Sequence, residues 1–223
     1  MTDVPRATAR RLPLYYRYLR AFSNMGKTRI SSSELSDAVK IDSATIRRDF
    51  SHFGALGKRG YGYDVEILLE FFRKQLYQDR LVTVGLVGAG NLGNALMHYN
   101  FKKSNNVRIG AAFDVNEEIV GTVQNGVPIY PLHDLVEILQ DMEIKVVILA
   151  IPEEAVPDVV AELEKTDIKG ILNFTAVRLH VSDHIFVQNV DLANELQTLI
   201  YYIGVNDHKT NKDGFVMMNE DND

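Results

Sequence analysis

The stretch VTVGLVGAGNLGNAL, residues 82–96, constrains this chain more than any other. Its apolar opening, VTVGLV, suits a strand buried on both faces of a parallel sheet. The run passes directly into Gly88-x-Gly90-x-x-Gly93 and then into a helical sequence, NLGNALMHYNF. Strand, glycine turn and helix in that order form the opening βα unit of a dinucleotide-binding fold. Gly88 suits the tight turn, Gly90 the close approach of a pyrophosphate, and Gly93 the packing of helix on sheet. Ala89, Asn91 and Leu92 lie between them in the same cofactor-binding turn. A second strand, VRIGAAFDVN, ends in Asp114, 21 residues after Gly93. A carboxylate there accepts from ribose hydroxyls. With no arginine beside it, Asp114 favours NAD or NADH over NADP, whose 2′-phosphate would meet a negative charge. Alone, a glycine motif is as well explained by a turn that binds nothing. The strand before it, the helix after it and the acid argue for the cofactor.

The alternation continues. A short strand is expected at 127–130, then KVVILAIP ending at Pro152, a helix at 153–165, KGILNFT at 169–175 and HIFVQNV at 184–190. This predicts an α/β fold with a doubly wound parallel sheet. Ligands of such sheets sit beyond the carboxyl ends of the strands. Ile151, Pro152, Asn173, Phe174 and Thr175 are therefore the expected neighbours of nicotinamide and ribose, although Phe174 serves equally well as core.

The residues before the sheet differ in charge. Residues 1–80 hold 15 Lys and Arg against 9 Asp and Glu, whereas the rest of the chain nets −12 within an overall −6. A basic module joined to an acidic one implies that only the first meets a polyanion; charges scattered on solvated faces are the plain alternative. Four helical segments follow one another. Leu12, Tyr15, Tyr16, Leu19 and Phe22 form one stripe, with Pro13 expected in its first turn. ELSDAVK follows three serines, Asp42 or Ser43 caps ATIRRDFSHF, and Asp64 caps a helix carrying Val65, Leu68, Leu69, Phe72 and Leu76.

A short helix, a tight turn and a second helix make a helix-turn-helix. In the second helix Ile46, Phe50 and Phe53 face the core. Ser43, Ala44, Thr45, Arg47, Arg48, Ser51 and His52 lie on the opposite face and its flanks. Small residues near the N-terminus and arginines beyond suit a major groove, with Arg48 reaching guanine and Arg47 phosphate. Pairing of these arginines with Asp42 and Asp49 on a plain surface helix is the alternative. GALGKRGYGY then places Lys58 and Arg59 at the tip of a glycine-rich hairpin. That is the wing of a winged helix, suited to a minor groove.

A dehydrogenase needs a proton donor and a wall for its substrate, and the wall is usually a further domain. Beyond Val190 only DLANELQTLIYYIGV and a polar tail remain, and His98, His133, His180 and His184 form no catalytic spacing. No catalytic residue is assigned and the chain reads as a non-enzyme; a small NAD-dependent oxidoreductase stays as a rival. Further rivals are a coenzyme A binder and a repressor answering a sugar phosphate. The chain has no cysteine, so thiol redox switches and thiolate metal sites are excluded. No metal site is assigned. No signal peptide or membrane span is read, and the expected location is the cytoplasm. The last helix carries Leu192, Leu196, Leu199 and Ile203 on one broad apolar face, which either closes its own domain or meets a second chain as a homodimer. The expected organisation is a winged-helix DNA-binding domain at 1–79, a Rossmann domain at 80–190, a dimerisation helix at 191–205 and a disordered tail at 206–223.

RLPLYYRYL, ATIRRDFSHFGALGKRGYGY, VGLVGAGNLGNAL, AAFDVN, KGILNFTAVRL and VQNVDLANELQ together resemble the Rex family of redox-sensing transcriptional repressors. The resemblance runs to about residue 205. It implies a homodimer that binds palindromic operator DNA, senses the ratio of NADH to NAD+, and leaves the operator when it binds NADH. It further implies that the terminal helix is exchanged between subunits. Asp191 at its start would face the partner chain, with Arg17 and Tyr99 as switch partners.

Overall fold

The computed structural model describes residues 4–54, 56–58, 61–99, 101 and 106–213, with Lys58 and residues 205–213 given by backbone alone. They form two compact units, Met1–Leu81 and Val82–Asp223.

The first unit runs α1 (Arg6–Asn24), β1 (Arg29–Ile30), α2 (Ser32–Val39), α3 (Ser43–Ser51), β2 (Gly57–Lys58), β3 (Gly62–Asp64) and α4 (Val65–Gln75). Local sequence sets the helix starts. Ser31 and Glu34 form a reciprocal capping box on α2, Asp42 accepts from the Ala44 and Thr45 amides, and Asp64 accepts from that of Ile67. Pro13 is not in the first turn, as its missing N–H led us to expect; it lies in the interior of α1. The helix starts at Arg6 because Thr8, Leu12, Tyr15 and Leu19 are all buried on one face, and that packing outweighs one lost backbone bond. Phe50 of α3 sits at the centre of the core, its ring 5.4 Å from Tyr15, 5.0 Å from Tyr63 and 5.4 Å from Phe72. The strands pair antiparallel in the order β1-β3-β2, completing a winged helix.

The second unit contains β4 (Val82–Val87), α5 (Asn91–His98), β5 (Val107–Asp114), β6 (Val123–Gln124), β7 (Val127–Pro131), α6 (Leu135–Asp141), β8 (Val146–Leu149), α7 (Val156–Leu163), β9 (Gly170–Asn173), β10 (Phe186–Asn189) and α8 (Leu192–Asp213). The seven strands are ordered β10-β9-β8-β4-β5-β7-β6, all parallel except the β6–β7 hairpin. The chain winds outwards in both directions from β4, so the topological switch point lies between β4 and β8. Four strand ends stand in register there: Val87, Leu149, Asn173 and Asn189.

The expected helix at 153–165 is divided into a 3-10 turn, Glu153–Ala155, and α7, which starts beside Pro157. The terminal helix does not stop at 205. It continues to Asp213, through residues 206–213 that we expected to be disordered; no proline or glycine lies between Gly204 and Gly214 to end it sooner. It does not close its own domain either, because Leu192, Leu196, Leu199 and Ile203 are each more than half exposed.

Candidate functional site

In α3, Ile46 and Phe50 are buried while Ala44, Arg47, Arg48 and Ser51 face solvent. Ser43, Thr45 and His52 are half-buried at its edges. Neither arginine pairs with Asp42 or Asp49. The Arg47 guanidinium donates to Ser32 Oγ at 3.0 Å and to Ser43 Oγ at 3.4 Å, and that of Arg48 has no partner among the described residues. Ser51 Oγ donates to the Arg48 carbonyl at 2.6 Å. An exposed, unpaired arginine in mid-helix is what a base-reading residue requires.

Asp49 is spent elsewhere. Its carboxylate, 1 % exposed as a residue, takes Arg11 bidentately through Nε and Nη2 at 2.6 Å each, Tyr15 Oη at 2.6 Å and Thr8 Oγ1 at 2.8 Å. Burial raises its pKa, but hydrogen bonds from Arg11, Tyr15 and Thr8 outweigh this and leave it below the usual 3.8. Burial, then the bond to Asp49, holds the Tyr15 phenol far above its ordinary range. This clamp fixes the reading helix to α1. Sequence reasoning missed it, although Thr8, Arg11 and Tyr15 share one face of α1 at spacings of three and four.

The wing forms as expected between β2 and β3, with Gly57 opposite Tyr63 and Lys58 opposite Gly62. Arg59 and the Lys58 side chain lie outside the described residues. Arg29, also missed, stacks its guanidinium over the exposed Tyr61 ring at 5.2 Å and donates to the Tyr61 carbonyl at 3.2 Å. The aromatic inside GKRGYGY was the available signal.

In the second unit the three glycines have distinct roles. Gly88 has φ of +94°, and a side chain there would collide with the Ala150 carbonyl. A side chain on Gly93 would collide with the Gly88 carbonyl. Gly90 is different: a Cβ would meet nothing in the chain within 4 Å. It caps α5 with no side chain to accept from the first helical amides, those of Asn91 and Leu92 included, which a helix N-terminus leaves without intrahelical partners. Open space beside Gly90 at a helix N-terminus fits a pyrophosphate.

Asp114 closes the turn from the neighbouring strand. Its Oδ2 accepts from the Ala89 amide at 2.6 Å and its Oδ1 from the Asn116 amide at 2.9 Å. Both oxygens retain a lone pair for a ribose hydroxyl. A cleft of about 700 Å³ opens beside it, lined by Asp114, Val115, Pro131, Leu132, His133 and Glu162 among others. Its size and its mixture of apolar walls and acid suit an adenosine.

Ile151 and Pro152 follow β8 after Ala150, and Ile151 is half-buried against Gly88. Asn173 is fully buried and its amide is saturated: Nδ2 donates to the Val177 carbonyl and to Asn189 Oδ1, and Oδ1 accepts from the Thr175 amide and hydroxyl. It shapes the 173–177 corner rather than offering free polar atoms. Phe174 is half-buried and packs against the core beneath the sheet.

Of the three switch candidates, Arg17 is exposed on α1 with its guanidinium 5.5 Å from the Tyr18 ring centroid. Tyr99 ends α5, 58 % exposed, its ring 4.6 Å from that of Phe101. Asp191 uses its carboxylate to cap α8, accepting from the Asn194 amide at 2.9 Å. Among the described residues no helix is long and apolar enough to cross a membrane, and no cluster of three His, Cys, Asp or Glu could hold a metal.

Comparison with known proteins finds a family match in each unit. The "CoA binding domain" family matches residues 79–177, and the "Putative DNA-binding protein N-terminus" family matches residues 3–51. The redox-sensing transcriptional repressor Rex of Ligilactobacillus salivarius is 61% identical over 200 residues, covering 90% of this chain and 94% of that one. That of Lactiplantibacillus plantarum is 59% identical, covering 91% and 90%. This chain belongs to the Rex family. Its fold agrees with the solved structure of RSP, a Rex-family repressor, in complex with β-NAD+ and operator DNA: the TM-score is 0.86 at 31% identity, over 97% of this chain and 100% of that one. RSP with β-NADH superimposes with a TM-score of 0.84 at 30% identity, over 95% and 99%. The Rex-family resemblance and the winged-helix and Rossmann fold read from the residues are therefore correct.

Proposed function

We propose that the chain is a redox-sensing repressor, holding palindromic operator DNA as a homodimer and releasing it on taking up NADH. The observation that carries this reading is the presence, in one chain, of an α3 face with an unpaired Arg48 and a glycine turn braced by Asp114. The RSP complex with operator DNA contains β-NAD+, which supports the sign of the response.

The residues divide the work. The α5 amides and Gly90 hold the pyrophosphate, Asp114 orients the adenosine ribose, and the cleft beside it takes the adenine. A bound nicotinamide supplies a ring that is cationic when oxidised and neutral when reduced. Ile151, Pro152 and Phe174, apolar groups at the strand ends, favour the neutral form because burying an unpaired cation is costly. The apolar face of α8 is exposed in the protomer and is covered by a second copy. Asp191 then meets the partner chain, with Arg17 and Tyr99 as its alternating contacts. Two reading helices must meet two half-sites at fixed spacing, so a rotation between protomers misplaces one. The cofactor acts as a signal, and no residue is assigned to turn it over. The cytoplasm is the compartment in which both ligands meet this protein.

Arg48→Ala costs about 1–3 kcal/mol at the operator and relaxes discrimination there, measured by fluorescence anisotropy on operator and random duplexes. Equal losses on both duplexes would make Arg48 a phosphate contact. Asp114→Ala weakens NADH binding, followed by nicotinamide fluorescence, and leaves operator binding without nucleotide intact. An unchanged titration would remove Asp114 from the site. The match to CoA-binding domains favours one second reading, coenzyme A in the same cleft. The acids lining it, Asp114, Glu117 and Glu162, oppose the 3′-phosphate of that ligand. Coenzyme A should fail to displace NADH; competition at equal concentration would favour the second reading.

A further inference from the structure

We infer that Asn189 is a positioning residue that couples the cofactor-facing strand ends to the root of the terminal helix. The inference rests on the function proposed above and names a residue that transmits its response.

Consecutive strand ends are joined by hydrogen bonds from the glycine turn to α8. The Gly88 amide donates to the Phe113 carbonyl at 2.8 Å, and the Ala150 amide to that of Val87 at 2.9 Å. Next, the Phe174 amide donates to the Leu149 carbonyl at 2.9 Å, and the Val190 amide to that of Asn173 at 2.8 Å. Asn189 adds a side-chain bond to this row, its Oδ1 accepting from Asn173 Nδ2 at 3.0 Å. Two residues later Asp191 caps α8.

Asn173 gives this bond its leverage. It is fully buried, and its amide makes four hydrogen bonds, the number it can make. A shift of Phe174 or Thr175 on binding a nicotinamide must move Asn173 or break one of these bonds. A buried donor left unpaired is costly, so the corner and β10 move together. Asn189 itself is exposed in the protomer, so its side chain is not needed to fill a core.

The full-length protein serves throughout. NADH affinity is read by nicotinamide fluorescence with and without saturating operator, and operator affinity by anisotropy with and without NADH. The ratio of the two NADH affinities is the coupling factor, and linkage requires the same factor from the operator titrations. Asn189→Ala and Asn189→Leu remove the acceptor, the second with little change in volume. In each, both uncoupled affinities stay within about threefold of the parent while the coupling factor falls by about tenfold. Asn189→Asp keeps an acceptor oxygen and keeps the parent's coupling. Unchanged coupling in the Ala and Leu variants overturns the inference. So does a parallel loss of both affinities with a lowered melting temperature, which would make Asn189 a support of the fold. A parent protein without coupling defeats the proposed function itself, an outcome visible before any variant is made.

Discussion

Asp49→Ala destabilises the DNA-binding unit by about 3–5 kcal/mol, the usual cost of removing one partner of a buried ion pair. The substitution strips acceptors from Arg11, Tyr15 and Thr8 at once, and Tyr15 is wholly buried. Chemical denaturation followed by tyrosine fluorescence measures it. A loss under about 1 kcal/mol would show that Arg11, whose side chain is 27% exposed, recovers its bonds from water. The pH dependence has a fixed sign. Asp49 has a lowered pKa in the folded state, so its contribution is complete above the ordinary 3.8 and is lost as pH falls through the folded value. The wild-type unit should therefore lose stability on acidification where an Asp49→Asn variant, already lacking the charge, loses less.

Gly88→Ala has a comparable effect in the other unit. Its φ of +94° is strained for any L side chain, and the new methyl would strike the Ala150 carbonyl and approach Ile151. The expected cost is about 3 kcal/mol or more, with NADH binding lost. Gly90→Ala provides the contrast. Its backbone is ordinary, with φ of −64°, and nothing lies within 4 Å of the added methyl. Stability should change by no more than about 0.5 kcal/mol while NADH affinity falls. Thermal melting and nicotinamide fluorescence on the two variants separate a glycine that the chain requires from one that the ligand requires. Retained NADH affinity in Gly90→Ala would mean that the pyrophosphate does not approach there.

What the residues disclosed depended on how local the signal was. The glycine turn, Asp114 and the amphipathic face of α3 are patterns carried within one or two elements, and the structure places them as the spacing implies. The β6–β7 hairpin was legible but overlooked: Asn125 and Gly126, with φ of 48° and 78°, form the Asn-Gly turn that favours a two-residue loop. The two-residue strand β1 has too little sequence to show a period. The Asp49 clamp joins residues 34 to 41 positions apart, and no local pattern announces such a pairing. Asn173 looked like a ligand contact because it stands at a strand's carboxyl end. Its saturation by Thr175, Val177 and Asn189 depends on how the corner folds back, which periodicity does not encode. Pro13 shows the reverse error, a reliable local rule overridden by burial of the turns on either side.

In the proposed function one chain converts a nicotinamide redox state into operator affinity. The direct measurement is the anisotropy of a labelled operator bound to the full-length protein, with NADH and NAD+ titrated separately. NADH should release the operator while NAD+ at the same concentration leaves it bound, and Asp114→Ala should blunt the NADH response. Equal responses to the two nucleotides, or none to either, would contradict it.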